Sequence, residues 1–186
     1  MRPWFNRAYV RHARKQKRNP LRGLDVETTP KTLVISPGGV ASSFLIDYLS
    51  SFLTLNDIDD RDDIKHLPRL SAEWLNTKKI LYIYGNPDDV YRSISRRGWV
   101  DIQGAKLGCV LCQFTRGALQ AFLFKKAVKK QIDKFCQYAK DQPDHVMAIT
   151  YGEIWTAAPQ IKAFFEIKDD GFLPNFPPRK ERNSKT

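Results

Sequence analysis

The chain has 186 residues, a hydrophobic content of 42%, an aromatic content of 12% and a formal net charge of +11 at pH 7. These values suit one compact domain with a packed core, and no apolar run is long enough to predict a transmembrane helix. Because no apolar segment follows the basic N-terminus, we expect no secretory signal and a cytoplasmic protein.

The positive charge is concentrated at the N-terminus. Residues 1–23 contain eight basic residues and no acidic one, whereas the remaining chain has 23 basic and 20 acidic residues. We therefore predict a basic tail over residues 1–23, one domain over residues 24–178 and a polar C-terminal tail over residues 179–186. The basic tail suits contact with nucleic acid, an anionic membrane or another polyanion, and the alternative is a solvated tail that binds nothing.

The first predicted strand, Thr32 to Ser36, leads into a glycine-rich loop and then a helix from about Ala41 to Leu53. Unpaired N–H groups and the helix dipole attract anions to such a helix start. The loop lacks the lysine of the common triphosphatase loop, so it predicts a phosphate or sulfate ester as ligand, and the alternative is a turn that binds nothing. The candidate ligand-binding residues are Gly38, Gly39, Val40, Ala41, Ser42 and Ser43.

The next predicted elements are an acidic connection over residues 56–63 and a short extended piece from Ile64 to Leu67. A buried strand is predicted from Lys79 to Tyr84. The proline that follows and the acidic residues after it are typical of a helix start, and Ser93 falls about one turn into that helix.

The C-terminal half predicts one long or two shorter helices between Gly104 and Lys140, because apolar residues recur there at helical spacing. A third strand is predicted from His145 to Thr150 and a last helix from Ile154 to Phe165, disturbed by a proline. An extended segment anchored by aromatic side chains is expected from Phe172 to Pro178.

Strands that alternate with helices predict a three-layer α/β fold with a mainly parallel sheet. Ligands of such sheets bind at the carboxyl ends of the strands. Gly38, Gly85 and Tyr151 each follow a predicted strand, and their convergence at one edge predicts a binding site there.

The three cysteines are Cys109, Cys112 and Cys136. The Cys-x-x-Cys pair fits a redox or metal motif, but it lies in an apolar helical pattern, which favours buried structural thiols. An odd number of cysteines predicts no disulfide framework and fits a reducing compartment. We expect no metal, because no cluster has the spacing of a metal site.

Several segments resemble, in their order along the chain, those of the sulfotransferases that use 3′-phosphoadenosine 5′-phosphosulfate. The glycine-rich loop resembles the 5′-phosphosulfate loop of that family, and residues 85–93 resemble its R-[ND]-P-x-D-x-x-x-S motif. Residues 64–68 are similar to its K-x-H-L-P segment, and residues 149–154 to its Y-E-D-L segment. Arg179 and Lys180 stand where its basic 3′-phosphate clamp is found.

The resemblance implies a P-loop-like fold and transfer of a sulfuryl group to a hydroxyl or amine of a small-molecule or glycan acceptor, with adenosine 3′,5′-bisphosphate as product. It makes His66 the catalytic base and Lys65 a source of positive charge. It assigns cofactor contacts to the loop and to Ser93, Tyr151, Arg179 and Lys180. The alternative is a catalytically impaired module that binds a nucleotide or polyanion.

The chain departs from the family pattern at three places. The loop is one residue longer and offers Gly38, Gly39 and Val40 where the family has a lysine or arginine, and Gly85 replaces the arginine that opens the second motif. Lys65 and His66 are adjacent, so in an extended segment their side chains are expected to point to opposite faces.

Overall fold

The computed structural model describes residues 24–179, which form a parallel sheet of three strands and six α-helices. This confirms the α/β class. The strands are β1 Thr32–Ile35, β2 Lys79–Tyr84 and β3 Val146–Thr150; the helices are α1 Ser42–Leu49, α2 Ala72–Thr77, α3 Pro87–Arg96, α4 Val100–Lys106, α5 Gly117–Asp141 and α6 Ala158–Phe164.

The strands lie in the order β1-β2-β3, and both pairings are parallel. In the register, Val34 is opposite Leu81 and Leu81 is opposite Met147. The carboxyl ends of all three strands therefore meet at one edge of the sheet. The segments that follow those ends are the ones in which the sequence predicts a site.

Apolar side chains of the helices cover both faces of the sheet, which agrees with strands that are apolar along most of their length. Alternate strand residues point to alternate faces. One face packs Leu33, Ile35, Ile80 and Tyr82 against Trp74 of α2 and Phe135 of α5. The other packs Val34, Leu81 and Ile83 against Leu45 of α1, Val90 of α3, Phe124 of α5 and Ile161 of α6.

Helix boundaries differ from the predicted ones at several places. The first helix ends at Leu49 rather than Leu53, and the next residues continue in turns. The short helix α2 was not predicted; it is capped by the Ser71 hydroxyl, which accepts a hydrogen bond from Trp74 N at 3.2 Å. The last helix begins at Ala158, because Pro159 is accepted only in a first turn.

The region between Gly104 and Lys140 is divided into the end of α4, a 3-10 turn at Val110–Gln113 and the long helix α5. The 3-10 turn brings the Cα atoms of Cys109 and Cys112 to 5.6 Å, and the two residues form a disulfide. The prediction of two structural thiols was therefore wrong for this pair. The distance lies in the usual range for disulfides, and the turn that creates it was not predicted.

Both ends of the described chain are tied to the body. Lys78 Nζ donates to the carbonyl oxygens of Val26 at 2.5 Å and Thr29 at 2.7 Å. At the other end, Phe172 is fully buried and Trp155 Nε1 donates to Pro177 O at 3.0 Å. The predicted basic tail and residues 180–186 lie outside the described residues. No helix within residues 24–179 is long and apolar enough to cross a membrane.

Candidate functional site

The loop after β1 has an unusual backbone. Positive φ angles occur at Gly38 (94°), Gly39 (70°) and Ala41 (61°), and Ala41 is the residue that precedes α1. A left-handed conformation costs a non-glycine residue about 1 to 2 kcal/mol. Such strain persists only where the surroundings impose it, and it occurs most often at binding loops.

Side-chain hydrogen bonds hold the loop from beneath. Ser36 Oγ accepts from Gly38 N at 3.2 Å and lies 3.0 Å from Ser42 Oγ. Gln103 Nε2 of α4 donates to Pro37 O at 2.9 Å. Ser42 is buried, so its hydroxyl supports the loop in this structure rather than facing solvent. Gln103 has no sequence signal that marks it as part of the site.

Ser93 lies directly behind the loop. It is 6% exposed, and a Cβ atom on Gly39 would lie 3.0 Å from Ser93 Oγ. A side chain at position 39 would therefore crowd Ser93 of α3, in addition to the strain of the positive φ. Ser93, the predicted donor to the 3′-phosphate, faces the loop backbone and does not line the cavity at the strand ends.

Two departures from the family pattern turn out to be in contact. A Cβ atom on Gly85 would lie 3.1 Å from Val40 Cγ1. The side chain of Val40 thus occupies the space that a larger residue at position 85 would need. Glycine at position 85 thus leaves room for the valine at position 40, a contact that sequence spacing does not reveal.

A cavity of about 470 Å³ opens at the carboxyl edge of the sheet. All three strand ends contribute to it: Gly39 and Val40 after β1, Gly85 after β2, and Tyr151 after β3. The predicted convergence is therefore present in the structure, with Gly39 in the place expected for Gly38. Gly38 itself is buried against Gln103 and Ile94.

The charged residues that line this cavity are Asp89, Lys129 and Asp133. Lys129 Nζ lies 3.1 Å from Asp133 Oδ1, so this cation already has a partner among the described residues. An anion in the cavity would depend mainly on backbone N–H groups of the glycine-rich loop and of the start of α3, since no residue of α1 lines the cavity. Apolar walls, including Ile132 and Tyr151, suit an aromatic ring.

Arg179 adds a cation beside the cavity. Its guanidinium carbon lies 5.8 Å from the ring centroid of Tyr151 and 5.4 Å from that of Trp155. These distances fit cation–π contacts, and Tyr151 lines the cavity. Lys180, the other residue of the predicted clamp, lies outside the described residues.

The segment with the candidate base is a turn and not an extended piece, so that prediction was wrong. Leu67 N donates to Ile64 O at 3.2 Å. His66 Nδ1 lies 2.8 Å from Ser36 O, at the beginning of the loop. Lys65 Nζ lies 2.5 Å from Ser43 Oγ and 2.6 Å from Ile58 O. The turn thus brings both adjacent side chains to the loop: His66 contacts its beginning at Ser36, and Lys65 contacts its end at Ser43.

The pKa of His66 is not near neutrality, as the sequence reasoning assumed. Desolvation lowers it to about 3, and Lys106 and Lys65 act in the same direction while the carbonyl of Ser36 opposes them. A carbonyl oxygen only accepts, so Nδ1 carries the proton and Nε2 holds the lone pair. The imidazole is therefore neutral and oriented as a base.

Lys65 is 5% exposed. Burial lowers the pKa of its ammonium group, and the carboxylate of Asp60 opposes this shift. Asp60 Oδ1 also accepts from Lys65 N at 2.8 Å, and its other oxygen pairs with Lys106. Neither Lys65 nor His66 lines the cavity at the strand ends. Sequence reasoning missed Asp60 and Lys106, since no motif joins them.

No family model matches this chain, and no curated protein or solved structure shows a significant match to it. Within residues 24–179, no group of three His, Cys, Asp or Glu side chains is placed to hold a metal ion. The site is therefore interpreted from its own geometry.

Proposed function

We propose that the strand-end cavity binds 3′-phosphoadenosine 5′-phosphosulfate and that the protein is a small sulfotransferase-like enzyme. One observation carries the proposal: the glycine-rich loop, the start of α3 and Tyr151 meet around one cavity of about 470 Å³. That volume is in the range of small-molecule sites.

The cavity offers different surfaces to the two parts of such a nucleotide. The adenine ring would pack against apolar and aromatic walls, including Tyr151 and Ile132. The phosphates would accept from N–H groups of the glycine-rich loop and of the start of α3. Arg179, held over the Tyr151 ring, would add positive charge beside them.

In the proposed transfer, an acceptor oxygen or nitrogen bonds to sulfur while the bond from sulfur to the bridging phosphate oxygen breaks. Adenosine 3′,5′-bisphosphate leaves, and the acceptor proton passes to Nε2 of His66. The negative charge of the donor would raise the low pKa of His66 towards the range of a useful base. The ammonium of Lys65, next to Ser43, would favour charge on the leaving phosphate. Because neither Lys65 nor His66 lines the cavity, this step requires the phosphosulfate end of the donor to reach from the cavity along the loop to the side that these two residues contact.

A second candidate is a catalytically impaired module that binds a nucleotide or polyanion. Two observations favour it. Gly39 and Val40 supply no cation to the loop, and the ammonium of Lys65 already donates to Ser43 and to the carbonyl of Ile58. Under this alternative the basic tail contributes to polyanion contact.

A transfer assay separates the two candidates. The protein is incubated with sulfur-labelled donor and a mixed pool of phenol, sugar and amine acceptors. The enzyme proposal predicts labelled acceptor, and it predicts a loss of about a hundredfold or more in His66→Asn. Asparagine keeps a donor for Ser36 O but removes the base. Donor that binds but is never consumed supports the impaired module instead.

A further inference from the structure

A second cavity lies on another side of α5, away from the strand-end cavity. It has a volume of about 380 Å³ and runs between α5, the Pro68–Arg69 segment and residues 107–111. Gln131 Nε2 donates to Leu67 O at 2.6 Å, which fastens α5 to one wall of this groove. We call it the α5 groove.

The basic residues that line the α5 groove are Arg69, Lys126, Lys130 and Lys134, and no acidic residue lines it. The three lysines recur every fourth residue, so they form one stripe along the helix. Burial, Lys130 and Arg69 together lower the pKa of Lys134. Positive charges therefore lie close together along the α5 groove.

Two other lysines of α5 have acidic partners. Lys125 pairs with Asp88 at 2.8 Å and Lys129 with Asp133 at 3.1 Å. By contrast, the three groove lysines make no ion pair with an acid in residues 24–179. The groove is therefore complementary to an anion that the chain itself does not supply within this region.

Much of the remaining lining of the α5 groove is apolar, with Leu107, Leu111 and Leu123 in its walls. Large apolar side chains continue this surface into solvent: Leu111 is 58% exposed, and Leu119 and Phe122, on the groove side of α5, are 56% and 59% exposed. Exposed apolar surface of this kind commonly marks a binding site. Along α5, exposed apolar side chains near the N-terminal end are thus followed by the basic side chains of the groove.

The wall opposite α5 is preformed. The disulfide between Cys109 and Cys112 closes the 3-10 turn, and Gln120 Nε2 donates to Cys112 O at 2.9 Å. A wall fixed in this way reduces the entropy that a ligand must overcome on binding.

We propose that the α5 groove binds a small amphipathic anion, meaning a carboxylate, sulfate or phosphate attached to an aliphatic or aromatic body. The anionic group is held by Lys126, Lys130 and Lys134, and the apolar body lies against Leu111 and Leu123. The occupant is a single molecule rather than a bilayer, because the lysines line a concave cavity. This site is independent of the proposed nucleotide cavity.

The test uses three anionic probes: cis-parinarate, 1-naphthyl sulfate and 1-naphthyl phosphate. Their uncharged counterparts are methyl parinarate and 1-naphthol. We expect at least one anion to bind with one site per chain and its neutral counterpart to bind more weakly. The double variant Lys130→Gln/Lys134→Gln should bind the anion about tenfold or more weakly than the wild type. Lys140→Gln, an exposed lysine of the same helix, is the matched control and should change little.

Circular dichroism and the melting temperature show whether each variant is folded, and these exposed or half-exposed substitutions should not alter either. Failure of all three anions to bind would overturn the proposal. The proposal would also be overturned if the double variant and the Lys140→Gln control bound the anion with equal affinity. A parallel arm uses phosphatidylglycerol vesicles. Vesicle binding that depends on the lysines, without binding of the free anions, would assign the surface to a membrane and reject the small-ligand site.

Discussion

His66 should make the protein sensitive to mild acid, and this can be tested with His66→Asn. The neutral imidazole donates from Nδ1 to Ser36 O at 2.8 Å and is desolvated. Asparagine places an amide N–H near the position of Nδ1 but does not titrate. The comparison therefore isolates proton uptake by the imidazole from the loss of its hydrogen bond.

The size of the effect follows from the two pKa values. The pKa is about 3 in the folded chain against an ordinary value of 6.5. Between these values the unfolded chain binds more protons, so stability is complete above pH 6.5 and falls as the pH drops towards 3. At pH 5 the loss is about 2 kcal/mol, from 1.36 kcal/mol per pH unit. This is an upper figure, since the ring is partly exposed.

Urea unfolding at pH 7.5 and pH 5.0 measures this effect in the wild type and in His66→Asn. Other titrating groups, such as Asp60, whose pKa is raised by burial, are common to both proteins and cancel in the difference. We expect the wild type to lose about 2 kcal/mol more than the variant. An identical loss in both proteins would show that the imidazole is hydrated and charged, which would refute the argument.

Three further predictions concern the loop, the disulfide and the tail. Gly39→Ala should lower the free energy of unfolding by more than about 1 to 2 kcal/mol, whereas Gly98→Ala, with the same φ of 70° but no neighbour within 4 Å, should lower it only by the backbone strain. Urea unfolding measures both variants, and equal losses of stability would contradict the contact with α3. Reduction of the disulfide should lower the free energy of unfolding by about 2 kcal/mol, and mass spectrometry that finds only free thiols without reductant would contradict the pairing. A chain that begins at Leu24 should keep its melting temperature but lose salt-sensitive binding to polyanions. A chain that begins at Pro30 should melt at a lower temperature, because Lys78 loses both carbonyl acceptors. Unchanged polyanion binding by the chain without the tail would show that the tail is not the contact surface.

Much of the fold could be predicted because it depends on local patterns. The bounds of β2 were predicted to the residue, since an apolar run between a lysine pair and Asn86-Pro87 leaves little choice. The start of α3 was predicted within one residue from its proline and acidic residues, and its cap is Asn86, which accepts from Asp88 N at 2.8 Å. The convergence of Gly85 and Tyr151 follows from parallel strands, whose carboxyl ends share one edge.

The parts that were missed depend on tertiary contacts. Val40 packs against Gly85 and Ser93 against Gly39, although these residues are about 45 to 54 positions apart in the sequence. The periodicity of apolar residues does not predict such contacts. The pKa of His66 depends on burial, which the motif around it does not encode. The 64–67 turn was missed because a proline nearby also fits an extended piece.

The most direct test of the central claim is calorimetry with adenosine 3′,5′-bisphosphate, because it probes the cavity without an acceptor. Position 152 offers a matched pair of variants, since Gly152 lines the cavity and a Cβ there meets only Thr150 Oγ1 at 3.8 Å. We predict one site per chain in the wild type and in Gly152→Ala, and loss of binding in Gly152→Phe, which introduces a bulky ring at the cavity wall. No heat of binding at millimolar ligand, or equal binding by Gly152→Phe, would contradict the claim that this cavity is a nucleotide site.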